Sequence, residues 1–320
     1  MAINTLTFKT QFSDQLDKAI VQKAVTGFFA DNDLGAKFID AATVSIPELT
    51  VAGLANYNKD TGFNRGAVTV SRRTVTLSMD RARTFSIDAV DSSDTGIADI
   101  AGKTAAEVVR TQSVPEVDAY VLSKLGAYAK TNSQTVSVGT SSTLEADIIK
   151  MFNDAQTKIG DALDFDENLV CFVDSKVWAA MCNSTAISKQ IVVSDFKRGE
   201  INTKVKTLND VAIIPVSGSR MYTAYTFNDG TTSGQTAGGF AKTTAAEHIG
   251  MLMLPKAACQ LVRKHEVTRI FSPDENQTAD AWKIDYRIHY DAFINNPYKT
   301  GIYAYTYAQA TQNAGGGTGG

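Results

Sequence analysis

The side chains of this 320-residue chain that could do chemistry gather in one stretch. "WKIDYRIHYDAF", residues 282–293, places Lys283, Asp285, Arg287, His289 and Asp291 at every second position. Alternate residues of a strand share one face, so the stretch lines up two carboxylates, a guanidinium and an imidazole. One chemistry that fits is a hydrolase with His289 as general base, oriented by Asp285 or Asp291. The other reading is architectural. Trp282, Ile284, Tyr286, Ile288, Tyr290 and Ala292 would pack on a core, and the charged set would be the wet face of an antiparallel sheet.

The rest of the chain favours the second reading. It has three histidines, His248, His265 and His289, and no HExxH, CxxC or GxSxG. "SVGTSS" and "VSGSR" lack a Walker lysine, and "GGFAK" lacks the GxGxxG spacing. The acids of "DALDFDEN" lack the glycine and closing glutamate of a calcium loop. No cofactor, metal or enzymatic activity is expected. The net charge of −3 gives no sign of a strong grip on nucleic acid or membrane. No apolar run approaches the ~20 residues that span a bilayer. The N-terminus lacks the pattern of a signal peptide, so a cytosolic protein is expected. Cys171, Cys182 and Cys259 form no CxxC pair and read as buried, reduced thiols.

The elements that must position these residues follow from periodicity. Residues 1–40 form a mildly helical arm, with Leu16, Ile20 and Val25 near one side. "TVSIPELTV" is a short strand whose Pro47 marks an edge or an end, and "GLANYNKDTGFNRG" is a loop tip. In "AVTVSRRTVTLSMDRARTFSID" the apolar phase shifts after Arg72-Arg73, which predicts a β-bulge there. The resulting long hairpin has few large apolar residues and should lean on something else.

Residues 97–130 predict a long helix, with Ser92, Ser93, Asp94 and Thr95 as candidate caps and Pro115 as a kink or break. "TNSQTVSVGTSST" is a candidate domain boundary. Beyond it a helix over 144–160, the buried strand "NLVCFVD", the helix "SKVWAAMCNS" and the strand "DVAIIPVS" make an α/β insert. "NDGTTSGQTAGG" is a surface loop. The strands "HIGMLMLP", "CQLVRKHEVTRIFS" and residues 282–293 follow, and the Gly-rich end is expected to be disordered. Arg81 and Arg83, among Asp80, Asp88, Asp91 and Asp94, read equally well as a solvated face or an intersubunit ion-pair patch.

The order of these segments resembles the major capsid proteins of tailed bacteriophages, the α+β Hong Kong 97-like fold. "DRARTFSIDAVDSSDTGIADIAG", "EVVRTQSVPEVDAYVLSKL", "VAIIPVSGSRMYT", "TRIFSPDENQTADAWKIDYRIHYDAF" and "YKTGIYA" are similar to that family as well. The resemblance implies an N-terminal arm (1–42), an extended loop (43–87), and a peripheral domain (88–139 and 251–307) with a spine helix over 97–130. It also implies an axial domain (140–250), followed by a disordered tail (308–320). It implies a shell of hexamers and pentamers around double-stranded DNA met without sequence readout, in a virion assembled in a bacterial cytoplasm. The portal protein would be a partner, and a decoration protein a further one. About 40 residues precede the loop, so a separate scaffolding protein is expected, or none is needed. Contacts between subunits are expected from Arg65, Arg72, Arg73, Asp80, Arg81, Arg83, Asp88, Arg287, His289 and Asp291, with His289 beside Asp291. A nanocompartment shell around enzyme cargo is the alternative use of the same fold.

Overall fold

The structure is a computed structural model. It describes residues 24–307 apart from 33–34, 36, 41, 61, 91–99, 139–143, 166, 185–191 and 199–200. The arm helix, the candidate caps Ser92 to Thr95 and the Gly-rich end lie outside the described residues.

The chain enters through a short 3-10 turn, Gly27–Asp31, that buries Phe28 and Phe29. Strands β1 (Lys37–Phe38), β2 (Thr43–Val51) and β3 (Val68–Thr76) then form an antiparallel sheet. β1 reaches only Ser45, so Pro47 sits where β2 has a partner on one side, the place a residue without an N–H belongs. The expected bulge at Arg72-Arg73 is absent. The register runs unbroken from Thr43↔Thr76 to Val51↔Val68. Neither face of the outer hairpin is buried, so no burial constraint holds an apolar phase there.

The break comes instead at Leu77 and Ser78. Strand β4 (Met79–Asp88) leaves the hairpin and pairs with β14 (Ala281–Ile294), which pairs in turn with β13 (Cys259–Phe271). By strand pairing the free hairpin is therefore shorter than the stretch 43–87.

Against this long sheet lies the predicted helix, divided as Pro115 requires. Helix α1 (Ile100–Val108) runs into a π-helical turn (Val109–Ser113), and α2 (Val114–Thr131) begins with Pro115 in its first turn. The proline offers no N–H to a preceding carbonyl and its ring would clash there; the wider turn relieves both. Val117, Val121, Leu122 and Leu125 of α2 pack with Ile284, Ile288 and Tyr290 of β14 in the main core.

The α/β part is a seven-stranded sheet. Its order is β5 (Thr135–Val138), β15 (Tyr303–Tyr307), β12 (His248–Pro255), β6 (Leu169–Val173), β9 (Val211–Pro215), β8 (Ile201–Leu208) and β7 (Val192–Arg198). Thr135–Val138 is thus a strand inside the expected linker. The strands β12 and β15, expected with the peripheral segments, pair into this sheet. Their apolar runs show why. The central strands are buried on both faces, so Val170 and Phe172 join the main core while Cys171 and Val173 join a second one. Helices α3 (Leu144–Leu163) and α4 (Ser175–Asn183) close that second core through Ile148, Phe152, Ile159, Val177 and Met181. Gly126 of α2 lets the helix lie close on the sheet, since a Cβ there would lie 2.4 Å from the buried Ile249 Cδ1. A small two-stranded sheet, β10 (Tyr225–Phe227) and β11 (Phe240–Lys242), carries the loop 228–239 at its end.

Candidate functional site

Among the described residues, the hairpin gathers most of the exposed large apolar side chains. Leu49, Val51, Leu54, Tyr57, Phe63, Val68 and Val70 are all exposed, Phe63 at 89%. Tyr57 and Phe63 touch edge to face at 5.1 Å, an aromatic pair on the tip with no core beneath it. A two-stranded ribbon with this much exposed apolar surface is marginal alone in water.

Its base is fixed firmly. Asp291 is the surprise of the opening stretch: expected on the wet face, it is buried. Beyond Tyr290 the strand loses β4 as neighbour, and Phe293 joins Val44, Ile46, Leu77 and Val262 in a small core under the hairpin base. The Asp291 carboxylate accepts from the Ser78 amide (3.1 Å), Ser78 Oγ (2.9 Å), Tyr120 Oη (2.7 Å), Lys124 Nζ (2.5 Å) and the Ala292 amide (2.6 Å). The ion pair with Asp291 outweighs burial and raises the Lys124 pKa. One carboxylate thus ties the strand break, the spine helix and β14 together. It is not available as a surface contact, and it does not partner His289.

Arg73 also stays within the chain. Its Nε lies 2.9 Å from Glu48, and its Nη2 donates to the Ile294 carbonyl at 3.0 Å. Arg72 is exposed and donates to Ser45 Oγ at 3.4 Å, and Arg65 is exposed in the tip.

Within the chain, neither Arg81 nor Arg83 pairs with a nearby aspartate among the described residues. Arg81 pairs with Glu116 of α2 at 2.6 Å and donates to the carbonyls of Asn228 (2.8 Å) and Gly239 (3.3 Å). Arg83 donates to the Thr236 carbonyl at 3.3 Å. Together they clamp the loop 228–239 onto β4. Asp80 and Arg287 meet across strands in an exposed bidentate pair, 2.9 and 2.6 Å, which holds the Asp80 carboxyl below its usual range. Asp88 closes a local turn by accepting from the Val90 amide.

His289 is half-buried, with His265 and Asp80 as its neighbours in register on the two flanking strands. Of the two carboxylates expected to orient it, Asp285 accepts from Thr84 Oγ1 and Asp291 is occupied as described. The hydrolase arrangement is not assembled. Among the cysteines, Cys171 and Cys259 are buried, and burial raises both thiol pKa values, that of Cys259 to about 12. Cys182 is exposed, against expectation, because it lies on the outer side of α4.

Two buried networks escaped the sequence reading. Asp118, fully buried on α2, accepts from the Val25 amide (3.1 Å), the Thr26 amide (2.9 Å), Thr26 Oγ1 (2.7 Å) and Arg220 Nη1 (3.1 Å). Burial pushes its carboxyl up, and the hydrogen bonds pull the other way. The second network sits where the parallel strands β6 and β9 end. Asp174 caps α4 by accepting from the Val177 amide and takes a hydrogen bond from Tyr307 Oη. His248 lies between the rings of Tyr307 and Tyr222, its Nδ1 3.7 Å from Asp174.

Burial lowers the His248 pKa below the ordinary histidine value; Asp174 opposes this, and Lys176 and Lys242 add to it. The unfolded chain takes up this proton near pH ~6.5 and the folded chain only at lower pH. Stability is therefore expected to fall as pH drops below ~6.5, levelling off once the folded imidazole is charged. Urea unfolding at pH 7.5 and at pH 5 checks this, because His248→Gln should lose less stability over that interval than the parent chain.

No protein-family model matches the sequence, and no curated protein matches it. Solved structures do. The capsid structure of the cyanophage P-SCSP1u superposes with a TM-score of 0.57 at 12% identity, over 86% of this chain and 86% of that one. The mature capsid of bacteriophage PhiM1 gives 0.54 at 13%, over 84% and 83%. A structure from Mycobacterium phage Ogopogo gives 0.52 at 10%, over 90% and 91%. At such identities the likeness is one of fold: the chain adopts the Hong Kong 97-like fold of tailed-phage major capsid proteins.

Proposed function

We propose that the chain is a shell-forming capsid protein whose copies associate through hexamers and pentamers into an icosahedral particle around double-stranded DNA. The observation that carries this reading is the hairpin. Its base is locked by Asp291 and Arg73, while Leu49, Leu54, Phe63 and Val70 project with no core of their own. Burying one such side chain against a neighbour contributes ~1.5–3 kcal/mol, and a closed shell repeats that contact in every copy. On this reading residues 1–42 are the arm, 43–87 the extended loop, 88–139 with 251–307 the peripheral domain, 140–250 the axial domain and 308–320 a tail. The chain has no enzymatic role. Exposed Arg65, Arg72, Asp80, Asp88 and Arg287 serve contacts between subunits, as does half-buried His289. Portal, scaffolding and decoration proteins are the expected partners in a virion assembled in the host cytoplasm. DNA contact is weak and local on this reading, in keeping with the net charge of −3.

The test is assembly itself. Electron microscopy and sedimentation of the purified chain, with scaffold supplied, should give megadalton particles. Leu54→Asp with Phe63→Asp should leave the circular dichroism and unfolding midpoint of the monomer unchanged and abolish the particles. Normal particles from that double variant would remove the hairpin from the interface.

A further inference from the structure

A cleft of about 710 Å³ lies between the π-helical turn and β4, under the loop 228–239. That volume falls within the ~300–1,000 Å³ of small-molecule sites. The widened turn helps to make the space, as Thr111, Gln112 and Ser113 border it. Its apolar walls come from Phe85, Val108, Val117 and Ile288. Tyr290 borders it too, and its hydroxyl is the one buried side-chain polar atom of the wall, among the described residues, left without a hydrogen-bond partner. Such a group costs ~1–3 kcal/mol unless something accepts from it.

The charges at the mouth do not cancel locally. Glu116 is taken by Arg81, and Glu107 by Arg110 at 2.5 Å. Asp229 turns onto its own loop, accepting from the amides of Thr231 and Thr232 and from Thr232 Oγ1, which holds its carboxyl far below the usual range. Arg83 has a carbonyl for a partner, not a carboxylate, and Lys103 is exposed with no partner among the described residues. Arg83 and Lys103 thus stand at the mouth without a carboxylate partner among the described residues, the interior is apolar, and one buried donor is unused.

We propose that this cleft binds a small anionic amphiphile, a molecule with an apolar body and a single carboxylate or sulfonate head. The body fills the space against Phe85, Val117 and Ile288, and the head meets Arg83 and Lys103. This does not depend on shell formation and applies to the single chain.

Calorimetric titration of the full chain with dodecanoate, below its micelle concentration, tests the site, with dodecylammonium as the charge control. Dodecanoate should bind ~10-fold or more tighter than dodecylammonium, a difference of ~1.4 kcal/mol. Val108→Trp, which fills the cleft, should abolish binding, and Leu54→Asp on the hairpin should leave it unchanged. Lys103→Glu alters an exposed side chain, keeps the fold, and should weaken dodecanoate ~10-fold without affecting dodecanol. Equal affinity for the two head groups, no effect of Lys103→Glu, or loss of binding in Leu54→Asp would each overturn the proposal.

Discussion

Asp291→Ala is expected to lower the unfolding free energy by ~3 kcal/mol, the cost of breaking a buried ion pair when one partner stays behind. The figure sits at the low end of that range because Lys124 is 36% exposed and recovers water when its partner is removed. Most of the loss comes from the other donors. The Ser78 amide, the Ser78 hydroxyl and Tyr120 Oη all converge on this carboxylate. Asp291→Asn should be almost as harmful although it keeps the shape. Both oxygens accept from several donors, so an amide nitrogen at either position sets donor against donor. Ser78→Ala removes only the hydroxyl and should cost ~1 kcal/mol. Urea unfolding of the three variants checks the order. Hydrogen exchange gives a second readout, since the Ser78 amide should lose protection in Asp291→Ala. A loss below ~1 kcal/mol for Asp291→Ala would mean that the network is surface-like despite its burial.

The same aspartate shows how far alternation can be read. From Trp282 to Tyr290 the period-two pattern of "WKIDYRIHYDAF" matches the sheet: Ile284, Tyr286, Ile288 and Tyr290 are buried, and Arg287 is exposed. It fails at Asp291 and Phe293, because a second small core covers the opposite face there. Strand periodicity reports one sheet face against solvent and carries no information about a neighbour arriving from Leu77 and Ile46. The hairpin failed for the opposite reason. With both faces exposed, Val68 and Val70 have no burial to set their phase, and the inferred bulge had nothing behind it.

Pro115 was legible because its effect is local and covalent. Arg81 and Arg83 were not, because their partners Glu116, Asn228 and Thr236 lie 35 to 153 residues away. The charged alternation of β7 and β8 hid a hairpin, whereas Asn209 and Asp210, both at positive φ, give the tight turn from β8 into β9 that such a pair favours. Asp118, Tyr120 and Lys124 sat inside a helix read for its apolar stripe alone, so the polar residues that anchor the chain to that helix were missed.

Asp118→Ala is the second variant expected to be severe, at ~3 kcal/mol or more. Asp118 is fully buried and holds the described start of the chain to the spine helix. The alanine leaves the amide and hydroxyl of buried Thr26 unpaired and takes the carboxylate from Arg220, whose side chain is 25% exposed. Asp118→Asn should cost less, and the geometry says why. Its carbonyl oxygen can keep both bonds from Thr26, and only the side facing the Val25 amide and Arg220 becomes donor against donor. This differs from Asp291, where neither oxygen can be given up. Proteolysis separates anchoring from general stability. In Asp118→Ala, cleavage near residues 24–26 should accelerate under conditions where hydrogen exchange in the seven-stranded sheet is unchanged. If cleavage there and exchange in the sheet rise together, Asp118 supports the whole core and not the attachment of the arm alone.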